Sequence, residues 1–149
     1  MCGLDNEVIR EHKLALAASG DVERAFTEAE KALEVSKPML PAHASALANL
    51  ADLELRFGRQ PSALAHATEA HVVMEQLGGI EDTESLVRIV YAEALVAGGR
   101  EDDARAVVRT AIGLINARAE KIAVGRWRES FARTPDNRRT FALAARLGV

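Results

Sequence analysis

Apolar positions along the chain recur at a helical period, and the same pattern appears three times. Gly20, Gly58 and Gly99 are each followed five residues later by an alanine, at Ala25, Ala63 and Ala104. Small apolar residues then recur four and seven positions on: Ala29 and Ala32, Ala67 and Ala70, Val108 and Ala111. An i, i+4, i+7 stripe is one face of a helix. Ahead of each glycine lies a second helical pattern. Leu47, Leu50 and Ala51 share a face before Gly58, and Tyr91, Ala92 and Leu95 before Gly99. The pattern before Gly20 is weaker, with His12 and Lys13 between Ile9 and Leu16.

The connections carry turn chemistry. A glycine at a helix end can take the left-handed conformation that closes it. Asp21 can cap the helix after Gly20, Pro61 suits the first turn after Gly58, and Glu101, Asp102 and Asp103 place negative charge at the positive end of the helix after Gly99. Pro38 and Pro41, and Gly78-Gly79 with Asp82 or Thr83, separate successive units. The pattern predicts helices at about 5–18, 22–36, 42–57, 61–77, 83–97 and 101–123. Thr134-Pro135 then opens a last helix over 136–147, with Phe141, Ala144, Ala145 and Leu147 on its buried side. The expected architecture is a single all-α domain over 1–149: helix pairs at 6–37, 42–78 and 83–123, and a cap over 124–149 that folds back with Trp127, Phe131, Phe141 and Leu147 shielding the third pair.

Composition supports helix over strand. Hydrophobic residues make up 48% of the chain and aromatics only 4%, so alanine and leucine supply most of the apolar mass. Charge changes the picture more. Residues 1–116 hold 11 Lys/Arg and 19 Asp/Glu, a sum of -8, whereas residues 117–149 hold 8 and 3, a sum of +5. Either the two ends of an elongated molecule simply differ in polarity, or the basic end is a docking surface. The lone Cys2 allows no disulfide within the chain, as expected of a reducing cytoplasm. No apolar run reaches membrane-spanning length, and the start MCGLDNEV has neither region of a signal peptide.

The Gly-x4-Ala-x3-(Ala/Val)-x2-Ala spacing resembles the tetratricopeptide repeat over about residues 6–116, with repeats longer than usual, few aromatics, and Glu54 where a large residue is common. The resemblance implies a right-handed α-solenoid of three helix pairs plus a C-terminal capping helix. More narrowly, Gly58–Ala67, Val90–Leu95, Arg128-Glu129-Ser130-Phe131 and Thr134-Pro135-Asp136-Asn137 look like the C-terminal tetratricopeptide region of large bacterial signalling proteins. Those proteins carry a protein kinase or a nucleotide-binding switch ATPase domain upstream. Gly125 and Ala132 stand where that region usually has Pro and Leu. By this resemblance the chain is the end of a larger regulator whose chemistry lies upstream.

The chain's own residues offer little chemistry. His12, His43, His66 and His71 lack metal-ligand spacing; His66 and His71 are about 140° apart round a helix. Cys2, Ser45, Ser62, Ser85 and Ser130 have no elbow motif and no evident base. Gly98-Gly99 is a helix end and not a phosphate loop. Acidic pairs at helix starts are explained by the dipole. Neither a cofactor, a metal nor catalysis is therefore expected.

The expected role is a cytoplasmic protein–protein interaction scaffold, as a monomer or a weakly associating homodimer. Its partner is a protein or peptide, or an upstream domain of the same native chain. In the repeat family the first helix of each pair lines a concave groove. Carried across, that implies Arg10, Leu14, Ser45, Ala48, Asn49, Asp52, Arg56, Leu86, Ile89, Val90, Glu93 and Val96, although the apolar ones could equally pack between repeats. Asn49 matches one donor that some family members use to clamp a carboxylate, and Arg10 can stand in for another. Leu14, Leu86 and Val90 cannot donate, so acidic tails are not expected to bind. A structural or self-association role is one alternative. Another is nucleic-acid contact through Arg126, Arg128, Arg133, Arg138 and Arg139 around Trp127, set against the simpler expectation that Trp127 packs inside and the arginines stay in solvent.

Overall fold

A computed structural model describes Glu11, residues 21–80 and residues 83–149. Among the described residues the protein is all-helical, with no strand. From residue 21 onward the described residues form seven helices in order: α1 (Val22–Ser36), α2 (Leu40–Arg56), α3 (Gln60–Gln76), α4 (Glu84–Ala97), α5 (Glu101–Glu120), α6 (Gly125–Ala132) and α7 (Pro135–Leu147). The helix expected at 5–18, with Gly20, lies outside the described residues apart from Glu11. The later helices fall within about three residues of their expected positions. The exception is α6, which the sequence pattern did not predict.

Each helix packs on its successor from α1 through α5. The row α2, α4 and α7 is also in direct contact, and α5 touches both α6 and α7. The alanine stripe explains how closely α3 can approach: Ala63, Ala67 and Ala70 are at most 1% exposed. Ala67 and Ala70 share a core cluster with Leu47 and Ala51 of α2, Met74 of α3, and Leu86, Val87, Ile89 and Val90 of α4. A second cluster joins Ala25, Phe26 and Ala29 of α1 to Leu50 and Leu53 of α2. There the Phe57 ring meets Phe26 edge-on at 6.0 Å.

Two of the three marker glycines act as the spacing implies. Gly58 and Gly99 have φ of +73° and +77°. After each, the next amide returns to a carbonyl five residues back: Arg59 to Glu54 at 2.8 Å, and Arg100 to Leu95 at 2.8 Å. That bond closes the helix and points the chain back along it. A Cβ at Gly99 would meet no atom within 4 Å, so substitution there costs only backbone conformation. Gly99→Val is therefore expected to destabilise by roughly 1–2 kcal/mol, read as a lower midpoint in urea. An unchanged midpoint would remove the turn's assigned role.

The C-terminal cap differs from expectation in its contacts. α7 packs on α4 and α5, but α6 buries no residue, and Trp127 stands 58% exposed. Ala145 is exposed, Phe141 and Leu147 are half-buried, and the buried side of α7 is Asn137, Thr140, Leu143 and Ala144. Polar Asn137 and Thr140 belong there because both are bonded: Asn137 to Ser85 and to the Phe131 carbonyl, Thr140 to the Asp136 carbonyl.

Candidate functional site

The positions carried over from the repeat family divide by chemistry. On α2 and α4, Ala48, Leu86, Ile89 and Val90 are at most 4% exposed and lie in the core cluster between helices, where no partner can touch them. Val96 is half-buried. Ser45 donates to the Pro41 carbonyl and pairs with the Thr83 hydroxyl at 2.7 Å, joining α2 to the start of α4. Asn49 donates to the Ser45 carbonyl at 2.9 Å. Arg56 is exposed. Arg10 and Leu14 lie outside the described residues.

Asp52 and Glu93 are drawn together by a residue expected to point outward. Arg139 of α7 turns in and donates through Nη2 to Asp52 Oδ1 at 2.6 Å and through Nε to Glu93 Oε1 at 2.7 Å; its Nη2 also bonds Glu93 Oε2. Arg56 Nε stands 3.8 Å from Asp52. Burial alone would lower the Arg139 pKa. The hydrogen bonds to Glu93 and the charge of Asp52 outweigh it and raise the pKa, so the cation is firmly held. Asp52 is 2% exposed, yet its Oδ2 has no hydrogen-bond partner. A buried carboxylate oxygen left so is uncommon.

The other four basic residues of that end remain exposed. Arg128 is committed to its own chain, donating to the Ala119 and Ile122 carbonyls and so capping α5. The Arg126 guanidinium lies 5.7 Å from the centre of the Trp127 ring.

Two further polar clusters escaped the sequence pattern. Glu54, 5% exposed, accepts from His66 Nδ1 at 2.9 and 3.1 Å, so the carboxylate at a usual packing position is satisfied from α3. Glu84 and Arg88, 5% and 7% exposed, pair one turn apart on α4. Arg118 of α5 closes on Glu84, and Arg88 also reaches Glu75 at 3.3 Å and the Met74 sulfur at 3.6 Å. Burial would raise the Glu84 pKa, but its bonds and charge contacts with Arg118 and Arg88 win and lower it.

Beside this cluster the His71 and Tyr91 rings meet at 4.6 Å, tilted by 36°. Burial lowers its pKa below the ordinary 6.5; Glu75 opposes this and Arg88 adds to it. The folded protein thus resists protonating His71. That contribution to stability is complete above about pH 6.5 and falls as the pH drops below it. The loss of stability between pH 6.5 and 5, followed by urea unfolding, is expected to be smaller in His71→Gln than in the parent. Equal pH dependence would contradict this.

Ser36, His43 and Glu69 stand in the order of a hydrolytic triad, at 3.3 Å and 3.7 Å. The Ser36 hydroxyl donates to the Leu33 carbonyl at 2.9 Å, so its proton is directed away from His43. Among the described residues no group of His, Cys, Asp and Glu could hold a metal ion, and no helix is long and apolar enough to cross a membrane. No protein-family model matches the chain, and no curated protein or solved structure matches it.

Proposed function

We propose that the chain is a non-catalytic protein–protein interaction module of tetratricopeptide type, a right-handed stack of three helix pairs closed by α7. In this reading it serves as the C-terminal part of a larger bacterial signalling protein in the cytoplasm. One observation carries the proposal. Asp52 and Glu93 are 41 residues apart, the same interval as Gly58 and Gly99, so they hold equivalent places in successive units, and both face the same guanidinium. Equivalent acids on successive helices set one row running across the units, and a row that crosses units suits a polypeptide partner better than a small molecule.

The test is affinity capture from the native cell with three baits. A partner held by the parent protein and by Glu69→Arg on α3, but lost with Arg56→Glu on α2, fits the proposal. Equal capture by all three baits, or none, counts against it. A second reading, contact through the basic end, is favoured by Trp127, which stands exposed beside Arg126. In that case Trp127→Ala, and not Arg56→Glu, would abolish capture.

A further inference from the structure

We infer that Asp52 and Glu93 form an arginine-binding seat, and that α7 is its resident, exchangeable ligand, displaced when a partner helix presents an arginine of its own. This rests on the interaction-module reading and names both the chemistry and the regulation of that face.

Two carboxylates from separate helices converge on the planar fork of Arg139, with Glu93 engaged by two of its nitrogens. An arginine fits such a seat better than a lysine, whose single ammonium cannot span both acids in fixed geometry. With the seat empty, half-buried Glu93 would lose the cation that pairs with it and buried Asp52 would keep only Arg56 at 3.8 Å, so the row selects a basic occupant.

The hold on α7 is small and half polar. It buries four residues, of which only Leu143 and Ala144 are apolar, whereas α4 buries nine. Its tether α6 buries none, so both can lift away together, uncovering only the edge of the core cluster that Leu143 and Ala144 cover. The resident is also an incomplete fit, because Asp52 Oδ2 stays buried and unbonded beneath it. An incoming segment that supplies a further donor there gains what α7 lacks. The matching partner is a helix with an arginine followed four residues later by leucine, as in Arg139 and Leu143.

The probe is a fluorescein-labelled peptide of residues 133–149, added to the full chain. It is expected to bind the parent protein weakly, because α7 already occupies the seat. It should bind Arg139→Gln protein about ten-fold or more tightly. That gain should vanish when the peptide itself carries Arg139→Gln, or when the protein also carries Asp52→Asn and Glu93→Gln. Equal affinity for parent and Arg139→Gln protein, or indifference to the peptide's arginine, overturns the inference.

Should Arg139→Gln fail to fold, amide exchange on the unaltered protein decides. Opening of α7 at least about ten-fold more frequent than that of α2 to α5 supports exchange. Opening of α7 only with global unfolding refutes it. If the capture pattern assigned to Arg56 holds while the peptide result fails, the resident-ligand idea alone is lost.

Discussion

Glu84→Ala is expected to destabilise the protein by about 3 kcal/mol. Arg88 is 7% exposed and would keep only Glu75, at 3.3 Å and on a half-exposed side chain, together with the weak Met74 sulfur contact. A buried guanidinium without its main counter-ion bears a desolvation cost that these remaining contacts offset only in part. Arg118 loses the same partner, but 40% of its side chain is exposed and water replaces the acid. The paired change Glu84→Leu with Arg88→Met should recover most of the loss, because removing both charges also removes the cost of burying them. Urea unfolding of the two single variants and the double would show a coupling of about 2 kcal/mol or more. Additive losses would mean that the pair is not a unit. Since the Glu84 pKa is lowered in the folded protein, its contribution is present above about pH 4.5 and is lost as the pH falls below that.

Leu47→Ala should cost a comparable amount, about 3 to 4 kcal/mol. Leu47 is 1% exposed and shares its cluster with Ala48, Ala51, Ala67 and Ala70. A cavity relaxes when neighbouring side chains rotate into it, and alanine has no rotamer to offer. These alanines cannot fill the void, so closing it is left to the larger members of the cluster such as Met74 and Leu86, and the loss is that of a fully buried leucine. A fall in midpoint of no more than that of an exposed leucine, such as Leu40→Ala, would contradict the close approach of α2 and α3.

The sequence carried the fold through local signals. Gly58 and Gly99 marked helix ends because only glycine readily takes positive φ there, and the alanine stripe marked buried faces because its period is helical. α6 was missed for a matching reason: its eight residues form no buried face, and Trp127 with Phe131 is a single apolar pair too short to mark a helix. The candidate site was legible only in part. Asp52 and Glu93 were placed on one row by their equivalent positions, but the residue between them was not foreseen. Arg139 lies 87 residues from Asp52, and in sequence it looks like any other arginine of a basic tail. Its turn inward depends on a vacancy created by two acids on other helices, a long-range fact without periodicity. Trp127 misled in the opposite direction. A large aromatic four residues from Phe131 reads as core, yet α6 runs along the surface and leaves it in solvent.

The central claim, that the α2–α4–α7 row is a partner-binding face, is tested most directly by photo-crosslinking in the native cell. A photoreactive amino acid is placed at Asn49, on that row, or at Ala65, exposed on α3. Adducts to one discrete protein from Asn49, absent from Ala65 and stronger in Arg139→Gln protein, are the predicted result. Adducts from Ala65 alone, or Asn49 adducts unchanged by Arg139→Gln, would contradict the account.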